Sequence, residues 1–312
     1  MNIERNRIPK TLLLASLCLL LTQCGQRKPP IDEAAFTKDV GQWQTKRAKG
    51  ISGESSWLTL SGLYWLKPGD NPFGSDSGNQ VILPPSAPKS AGIISWKDTL
   101  LMLTAKRGAG VRVKDSAVTT IRLRSDNDGV AEPTVITIGS VSFYAIKRGD
   151  QLGIRVKDKQ NPARLHFTGL DFFPVSSDWR IEGKYEPFPR PKVIPVTSVI
   201  GTVENDTFPG TVSFTKGDTT FRLIAQIERG PESTLYFMFS DETGGKETYG
   251  LGRQLSTPMP DSAGTVVMDF NKAYNWPCAY TDYATCPIPP RENHLPIRVE
   301  AGEKNYPGHG TH

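Results

Sequence analysis

Short apolar runs separated by turn residues are the feature that most limits what this chain can fold into. After residue 50, short stretches rich in valine, isoleucine, leucine and aromatic residues alternate with glycine, aspartate and serine. The chain also has 29 glycines and 25 prolines among its 312 residues, and both residue types interrupt helices. The sequence therefore predicts a mainly β protein, built from two packed antiparallel β lobes that are sandwich- or barrel-like, with one N-terminal helix.

The one predicted helix lies ahead of the β region, within residues 31–49. Phe36, Val40 and Trp43 recur at spacings of four and three residues, which places them on one helical face. Gly50 follows as a natural stop. We expect this helix to pack its apolar face against the β structure that follows.

Several segments in the first lobe are rich in the residue types that strands prefer. Gly139 and Ser140 lie between two of these segments and predict a two-residue hairpin turn. The predicted strands are Thr99–Leu103, Val118–Leu123, Thr134–Ile138, Val141–Ile146, Leu152–Val156 and Trp179–Tyr185.

A proline-rich segment at residues 186–194 is predicted to separate the two lobes. Pro187, Pro189 and Pro191 remove backbone donors at alternate positions, so this segment cannot be a helix or a central strand. Beyond it, the clearest predicted hairpin of the chain covers residues 210–228, with its turn at Gly217 and the aspartate that follows.

The first residues have the composition of an export signal. Three basic residues precede an apolar run, Thr11–Leu21, that is about eleven residues long, against the roughly twenty needed to span a bilayer. The run ends at Leu21-Thr22-Gln23-Cys24-Gly25, which resembles the lipobox of bacterial lipoproteins. We expect lipidation at Cys24, with an ordinary secretory signal as the alternative.

Lipidation would place the protein outside the cytoplasm, in a bacterial cell envelope, with the membrane as its partner through the lipid anchor. Cleavage before Cys24 leaves 34 basic and 31 acidic residues, a net charge of +3. That balance, and the absence of a basic stripe with interleaved aromatic residues, give no indication of nucleic-acid binding.

These observations divide the chain into six predicted parts. They are a signal peptide at residues 1–23, a lipidated tether at 24–30, an N-terminal helix plus β lobe at 31–185, a proline-rich linker at 186–194, a C-terminal β lobe at 195–306 and a flexible tail at 307–312.

Two cysteines, Cys278 and Cys286, remain in the exported part once Cys18 is removed and Cys24 is lipidated. Outside the cytoplasm such a pair most simply forms a disulfide. Closing a loop of about nine residues contributes roughly 2–3 kcal/mol to the free energy of unfolding. Two cysteines are too few for a structural zinc site. His294 is the nearest third ligand, and no metal site is predicted.

Polar side chains concentrate in the last seventy residues, at spacings that put several of them on common strand faces. Asp269 and Asn271 share one face of a predicted strand, and Tyr249 and Arg253 share a face of another. The candidate ligand-binding residues are Asp241, Thr243, Tyr249, Arg253, Asp269, Asn271, Tyr274 and Asn275.

This polar cluster has two interpretations of about equal weight. In the first it is a ligand site, where Arg253 binds a carboxylate or phosphate through its two-pronged donor geometry, and Asp241 and Asp269 act as acid and base or as cation ligands. In the second it is a structural network, in which Arg253 bridges the two aspartates and the nearby asparagines satisfy backbone groups.

Familiar catalytic motifs are missing from the sequence. It contains no Gly-x-Ser-x-Gly elbow, no His-Glu-x-x-His, no phosphate-binding loop and no dinucleotide fingerprint, and it indicates no particular cofactor. Three hypotheses result: a lipid-anchored protein that binds a small polar or anionic ligand in its C-terminal lobe, a hydrolase that uses Asp241 or Asp269, and a structural envelope protein.

Several segments of the chain resemble those of the bacterial and archaeal family DUF1684, a domain of unknown function, and the C-terminal ones are the most specific. The resemblance extends over residues 43–304 and implies no activity. Because relatives with the cysteine-proline stretch include proteins without an export signal, it also allows reduced thiols or a metal there. The segments that carry it are Trp57–Leu66, Arg155–Asp158, Phe167–Leu170, Tyr249–Arg253, Asp269–Asn275, Cys278–Pro290 and Ala301–Lys304.

Overall fold

The amphipathic N-terminal segment forms the helix that its spacing predicts. In the computed structural model, which describes residues 31–129 and 132–308, helix α1 spans Glu33–Ile51. Phe36, Val40 and Ile51 are buried, so the apolar face packs inward. The predicted signal peptide, the predicted lipidation site Cys24 and the final histidines lie outside the described residues. Among the residues that are described, no helix is long and apolar enough to cross a membrane.

Strands make up most of the regular structure after this helix. A second helix, α2 (Pro162–Leu165), has only four residues. In chain order the strands are β1 (Leu60–Trp65), β2 (Gly69–Gly74), β3 (Val81–Ile82), β4 (Gly92–Lys97), β5 (Leu100–Ala105), β6 (Arg112–Val113), β7 (Ser116–Ala117), β8 (Thr120–Arg122), β9 (Ile136–Ile138), β10 (Val141–Arg148), β11 (Gln151–Asp158), β12 (Arg180–Thr197), β13 (Val203–Lys216), β14 (Thr219–Glu228), β15 (Thr234–Asp241), β16 (Arg253–Pro258), β17 (Thr265–Asp269), β18 (Tyr274–Asn275) and β19 (His294–Leu295).

Two sheets form the N-terminal part and enclose one hydrophobic core. The first has the order β1-β11-β10-β9-β6-β7, and the second has the order β3-β2-β4-β5-β8. Phe73 of β2 and Phe143 of β10 meet in this core with ring centroids 5.5 Å apart. The hairpin predicted at Gly139 joins β9 to β10, and Gly139 adopts the positive φ of 60° that such a turn requires.

One larger sheet forms the C-terminal part, in the order β17-β12-β13-β14-β15-β16-β18, with β19 pairing beside β15. The predicted hairpin at residues 210–228 is confirmed, because β13 and β14 pair in register up to the turn at Gly217. Phe214, Phe237 and Phe270 fill the core behind this sheet. The mainly β, largely antiparallel prediction with one N-terminal helix is therefore confirmed.

The proline-rich segment is a strand, where the sequence predicts a linker. β12 runs without interruption through residues 186–194, and its pairing with β13 only breaks register between Pro187 and Lys192. On its other side, β12 pairs with β17 only over Arg180–Lys184. Beyond that point β12 is an edge strand, so the prolines remove no donor that a second neighbour needs.

A third buried cluster joins the two parts of the chain. It combines Ile51 of α1 and Leu58 with Phe208 of β13 and with Trp276 and Tyr280 of the C-terminal loop. Because α1, the segment before β1, the larger sheet and the C-terminal loop all meet here, this is where the fold brings together side chains that are distant in sequence.

Candidate functional site

Arg253 is the largest fully buried side chain of the described residues, and both terminal nitrogens of its guanidinium donate to the protein. Its Nη2 donates to a carboxylate oxygen of Asp241 at 2.7 Å and to the carbonyl of Val299 at 2.9 Å. Its Nη1 donates to the carbonyl of Ala301. The predicted pairing of Arg253 with Asp241 is therefore present, but both prongs of the guanidinium are directed at the protein.

Asp241 is equally enclosed, with its side chain 2% exposed. Its Oδ1 accepts hydrogen bonds from the Thr243 backbone, the Thr243 hydroxyl and the Val299 backbone, at 2.9, 2.6 and 3.1 Å. Thr243 also bonds the hydroxyl of Thr248 at 2.8 Å. With Arg253 on the other oxygen, Asp241 accepts four hydrogen bonds, which is the arrangement of a structural ion pair.

Asp269 and Asn271 form a separate group. Asp269 ends β17 and accepts from the backbone and side-chain nitrogens of Asn271, at 3.2 and 2.9 Å. The Ser176 backbone nitrogen donates to the side-chain oxygen of Asn271, and the side-chain nitrogen of Asn271 donates to the Ser176 carbonyl. No hydrogen bond or ion pair joins Asp269 to Arg253, although the structure describes both residues. Burial raises the pKa of the Asp269 carboxyl.

The parity argument for Tyr249 and Arg253 is wrong because the strand is shorter than the sequence predicts. β16 begins at Arg253, and a turn precedes it, with Gly252 at a φ of 86°. A Cβ on Gly252 would lie 2.4 Å from the carbonyl oxygen of Phe239, so this turn needs glycine. Tyr249 points instead into the buried cluster that joins the two parts of the chain.

Tyr274 and Asn275, the remaining predicted residues, lie at a different place, beside Arg47 of α1. Arg47 stacks over the Tyr274 ring at 4.7 Å and donates to the Asn275 carbonyl at 3.2 Å. It also pairs with Glu303 at 3.3 Å. Glu303 is fully buried, which raises the pKa of its carboxyl. The hydroxyl of Tyr280 donates to the same carboxylate.

A cavity of about 320 Å³ opens at Tyr274 and Asn275. Three arginines line it, and each comes from a different segment: Arg47 from α1, Arg148 from the end of β10 and Arg155 from the middle of β11. Its other lining residues are Trp57, Gln254, Tyr274, Asn275, Trp276, Pro277, Ala284, Thr285, Cys286 and Pro287.

Strand register explains why Arg148 and Arg155 face the same way. In the β10–β11 hairpin, Arg155 lies opposite Tyr144, which is four residues before Arg148 on the same strand. Side chains alternate along a strand, and opposite residues share a face, so Arg148 and Arg155 project from one side of the sheet. Ile154 and Val156 occupy the other side, in the N-terminal core.

The two arginines converge on one oxygen atom. Nε of Arg148 and Nη2 of Arg155 donate to the hydroxyl of Thr285 at 3.0 and 3.2 Å. Arg148 also forms a two-pronged pair with Asp126, at 3.0 and 2.9 Å. Arg148 therefore has a carboxylate partner, as Arg47 does in Glu303.

Arg155 has no such partner. It is 4% exposed, its Nε forms no hydrogen bond, and no carboxylate of the described residues forms an ion pair with it. A buried cation without a counter-ion costs several kcal/mol in free energy. The nearby indole nitrogen of Trp276 also lacks a hydrogen-bond partner. The cavity is thus positively charged, and two of its lining residues carry a buried donor that the protein leaves unpaired.

Cys278 and Cys286 are free thiols in this structure, so the predicted disulfide is not present. The backbone nitrogen of each cysteine donates to the sulfur of the other, at 3.2 and 3.4 Å. The hydrogen bond from Cys286 lowers the pKa of Cys278, while burial raises the pKa of Cys286. Backbone pairing of Ile288 with Thr197, the last residue of β12, and of Val199 with Cys286 attaches the loop to the end of β12 and the turn after it without a covalent link.

The sequence contained a signal for Arg155 that the predicted site does not use. Arg155 stands between two apolar residues, Ile154 and Val156, in a predicted strand, so its own face had to be either exposed or covered by another part of the chain. Arg47 and Thr285 carry no comparable signal, because only tertiary packing brings them to the same cavity.

The C-terminal part of the chain matches the model of a protein family. The model of a family described as "Protein of unknown function (DUF1684)" matches residues 165–304. An uncharacterized protein of Haloarcula marismortui, with a solution NMR structure, is 30% identical over 45% of this chain and 78% of that chain, with a TM-score of 0.38. The chain belongs to the DUF1684 family. No curated protein matches it.

The part of the cavity that lies in the DUF1684 match is the wall from Gln254 to Pro287, which includes Thr285. The three arginines precede the matched residues. An FHA domain from a study of phosphothreonine-dependent interactions is 19% identical over 30% of this chain and 92% of that chain, with a TM-score of 0.21.

Proposed function

We propose that this DUF1684 protein binds a small organic anion in the cavity lined by Arg47, Arg148 and Arg155. The observation that carries the proposal is the state of Arg155, a buried guanidinium with an unpaired Nε and no carboxylate partner among the described residues. Buried charges are stable when they are paired, and a bound anion would supply the missing partner.

The cavity has the size and composition of a small-molecule site. Such sites have volumes of about 300–1,000 Å³ and combine apolar walls with a few polar groups that orient the ligand. This one measures about 320 Å³. Its aromatic and proline walls surround the arginine end, and Tyr274 and Asn275 of the predicted ligand-binding set contribute to it. The proposed site therefore binds the predicted class of ligand, a small anion, but it does not include Arg253.

The proposal includes the predicted location of the protein. A lipid on Cys24 would hold the chain on the outer side of a membrane, with residues 25–30 as a tether ahead of α1. The cavity would then bind its ligand outside the cytoplasm. This part is supported by the lipobox-like sequence at Leu21–Gly25 and by the short apolar run before it.

A hydrolase that uses Asp241 or Asp269 receives less support. Asp241 already accepts four hydrogen bonds in an enclosed ion pair. Asp269 is the N-cap of the short 3-10 helix Phe270–Lys272 and accepts from the Asn271 backbone. Each carboxylate therefore has a structural role, and neither lines the arginine cavity.

Thermal unfolding of the full-length chain in a mild detergent tests anion binding. Benzoate, phenyl phosphate and phenylsulfonate are compared with neutral benzamide. A ligand at ten times its Kd raises the free energy of unfolding by about 1.4 kcal/mol. We expect stabilisation by at least one anion but not by benzamide, and loss of that stabilisation in Arg155→Met.

Arg222→Met is the matched control, because Arg222 is exposed on β14 and outside the cavity. It should leave the anion response unchanged. An identical response of the wild type and Arg155→Met to every anion would overturn the proposed function.

A further inference from the structure

The cavity is too large for a bare inorganic ion. Its volume of about 320 Å³ corresponds to roughly ten water molecules, at about 30 Å³ each. An anion that occupies only the arginine end would leave most of the apolar wall in contact with water. The space therefore fits an anionic group attached to an organic body.

The charges around the cavity add to one net positive charge. Arg47 is balanced by Glu303 and Arg148 by Asp126, whereas Arg155 is unbalanced. Burial raises the pKa of the Glu303 carboxyl, while the donors around both of its oxygens favour the ionised form that pairs with Arg47. Arg47 and the Asn275 backbone donate to one oxygen, and the Asn275 side chain and the Tyr280 hydroxyl donate to the other.

A single excess positive charge matches a ligand with a single negative charge. A carboxylate carries one, whereas a phosphate monoester carries about 1.5 to 2 at pH 7. The second charge of a phosphate would be buried without compensation, which is costly in a site of low dielectric constant. A carboxylate also suits the planar donor geometry of a guanidinium.

The walls indicate the shape of the organic body. Trp57, Tyr274 and Trp276 are the aromatic residues that line the cavity, and Pro277 and Pro287 add rigid apolar residues to the lining. Trp276 is held in place by an edge-on contact with Tyr236, at a centroid distance of 6.4 Å and an interplanar angle of 88°. Flat apolar groups pack well against rings fixed in this way.

We infer that the ligand is an organic monocarboxylate with a flat, apolar body, of which benzoate is the simplest representative. This inference rests on the proposed anion site and adds the charge and the shape of its ligand. The carboxylate lies against Arg155, within reach of the arm of Arg148 that now bonds Thr285. The ring lies between the tryptophan and tyrosine side chains.

Isothermal titration calorimetry of the full-length chain tests this, with benzoate, phenyl phosphate and acetate as probes. Benzoate should bind at least tenfold more tightly than either of the others. Phenyl phosphate shares the ring but has the larger charge, and acetate shares the charge but lacks the ring. Trp57→Leu should weaken benzoate binding and leave acetate unchanged.

The charge count is tested separately by Asp126→Asn, which leaves a second positive charge unbalanced. The ratio of the phenyl phosphate Kd to the benzoate Kd should then fall about tenfold. Thr220→Val, a hydroxyl removal at an exposed position of β14, is the control and should not change the ratio.

The outcomes separate the two claims. If phenyl phosphate binds as tightly as benzoate or more tightly, or if acetate equals benzoate, the inferred ligand class is wrong and the anion site stands. If no probe gives heat that Arg155→Met removes, the anion site itself is wrong.

Discussion

Arg148 and Arg155 donate to the same atom, the hydroxyl oxygen of Thr285, at 3.0 and 3.2 Å. Two cations thus share one neutral acceptor, and only Arg148 has a carboxylate beside it. Like charges at this separation repel each other in a partly buried site. The ligand-free cavity therefore stores an unfavourable interaction that a bound anion would relieve.

The first prediction concerns the stability of the ligand-free protein. Arg155→Met removes the unbalanced buried charge and keeps most of the side-chain volume, so we expect the free energy of unfolding to rise by about 1–3 kcal/mol. Urea unfolding in a buffer without organic anions measures it. Exposed Arg222→Met should change it by less than about 0.5 kcal/mol. A clear loss of stability in Arg155→Met would contradict the assignment.

The second prediction is the opposite effect at Arg253. Arg253→Met leaves Asp241 buried without its counter-ion, and we expect a loss of about 3–5 kcal/mol in the free energy of unfolding. The double variant Asp241→Asn with Arg253→Met should lose less than the single Arg253→Met variant, because the unpaired charge is gone. Equal losses would show that the ion pair is not what holds this region together.

Sequence patterns anticipated the elements but not the cavity. The spacing of Phe36, Val40 and Trp43 predicts α1, and apolar runs predict most of the strands, because burial of one face is a local property of the sequence. The grouping of Arg253 with Asp269 depended on where β16 begins and β17 ends, and strand ends are poorly determined by local pattern.

The predicted ligand-binding residues lie in separate places in the structure for a physical reason. Asp241, Thr243 and Arg253 satisfy one another in the interior, whereas Tyr274 and Asn275 meet Arg47, which is more than two hundred residues earlier in the chain. A contact of that kind is decided by how α1 and the first sheet pack on the C-terminal loop. Neither hydrophobic periodicity nor residue spacing carries that information.

The third prediction is a pH dependence at Glu303. Burial raises the pKa of this carboxyl above its ordinary value of 4.5, so the native state binds the proton more tightly than the unfolded state. The stability from Glu303 is therefore fully present below pH 4.5 and falls as the pH rises through the folded pKa. Glu303→Gln removes this pH-dependent contribution to the free energy of unfolding.

Urea unfolding from pH 4 to pH 8 measures the contribution of Glu303 as the difference in free energy of unfolding between wild type and Glu303→Gln. We expect the advantage of the wild type over the variant to be largest at the acid end and to shrink as the pH rises. Contributions from other carboxyl groups, including that of Asp269, cancel in the difference. An advantage that grows with pH would contradict a raised pKa.

The fourth prediction concerns the thiols of Cys278 and Cys286. Both are free and about 5% exposed, so iodoacetamide should leave them unmodified in the folded protein. In denaturant without a reductant, both should be alkylated, and peptide mass spectrometry would show two adducts in the segment from Cys278 to Pro290. A peptide two hydrogens lighter, without adducts, would show a disulfide instead.

The most direct test of the anion site is the Nε–H resonance of Arg155, observed by NMR in the full-length chain with arginine-selective ¹⁵N labelling and assigned with Arg155→Lys. Titration with benzoate should move this resonance in a saturable way, while the Nε–H of Arg253, which is also unpaired but lies in the closed ion pair, should not move. If the Arg155 resonance stays in place at saturating benzoate and phenyl phosphate, the cavity does not bind an anion.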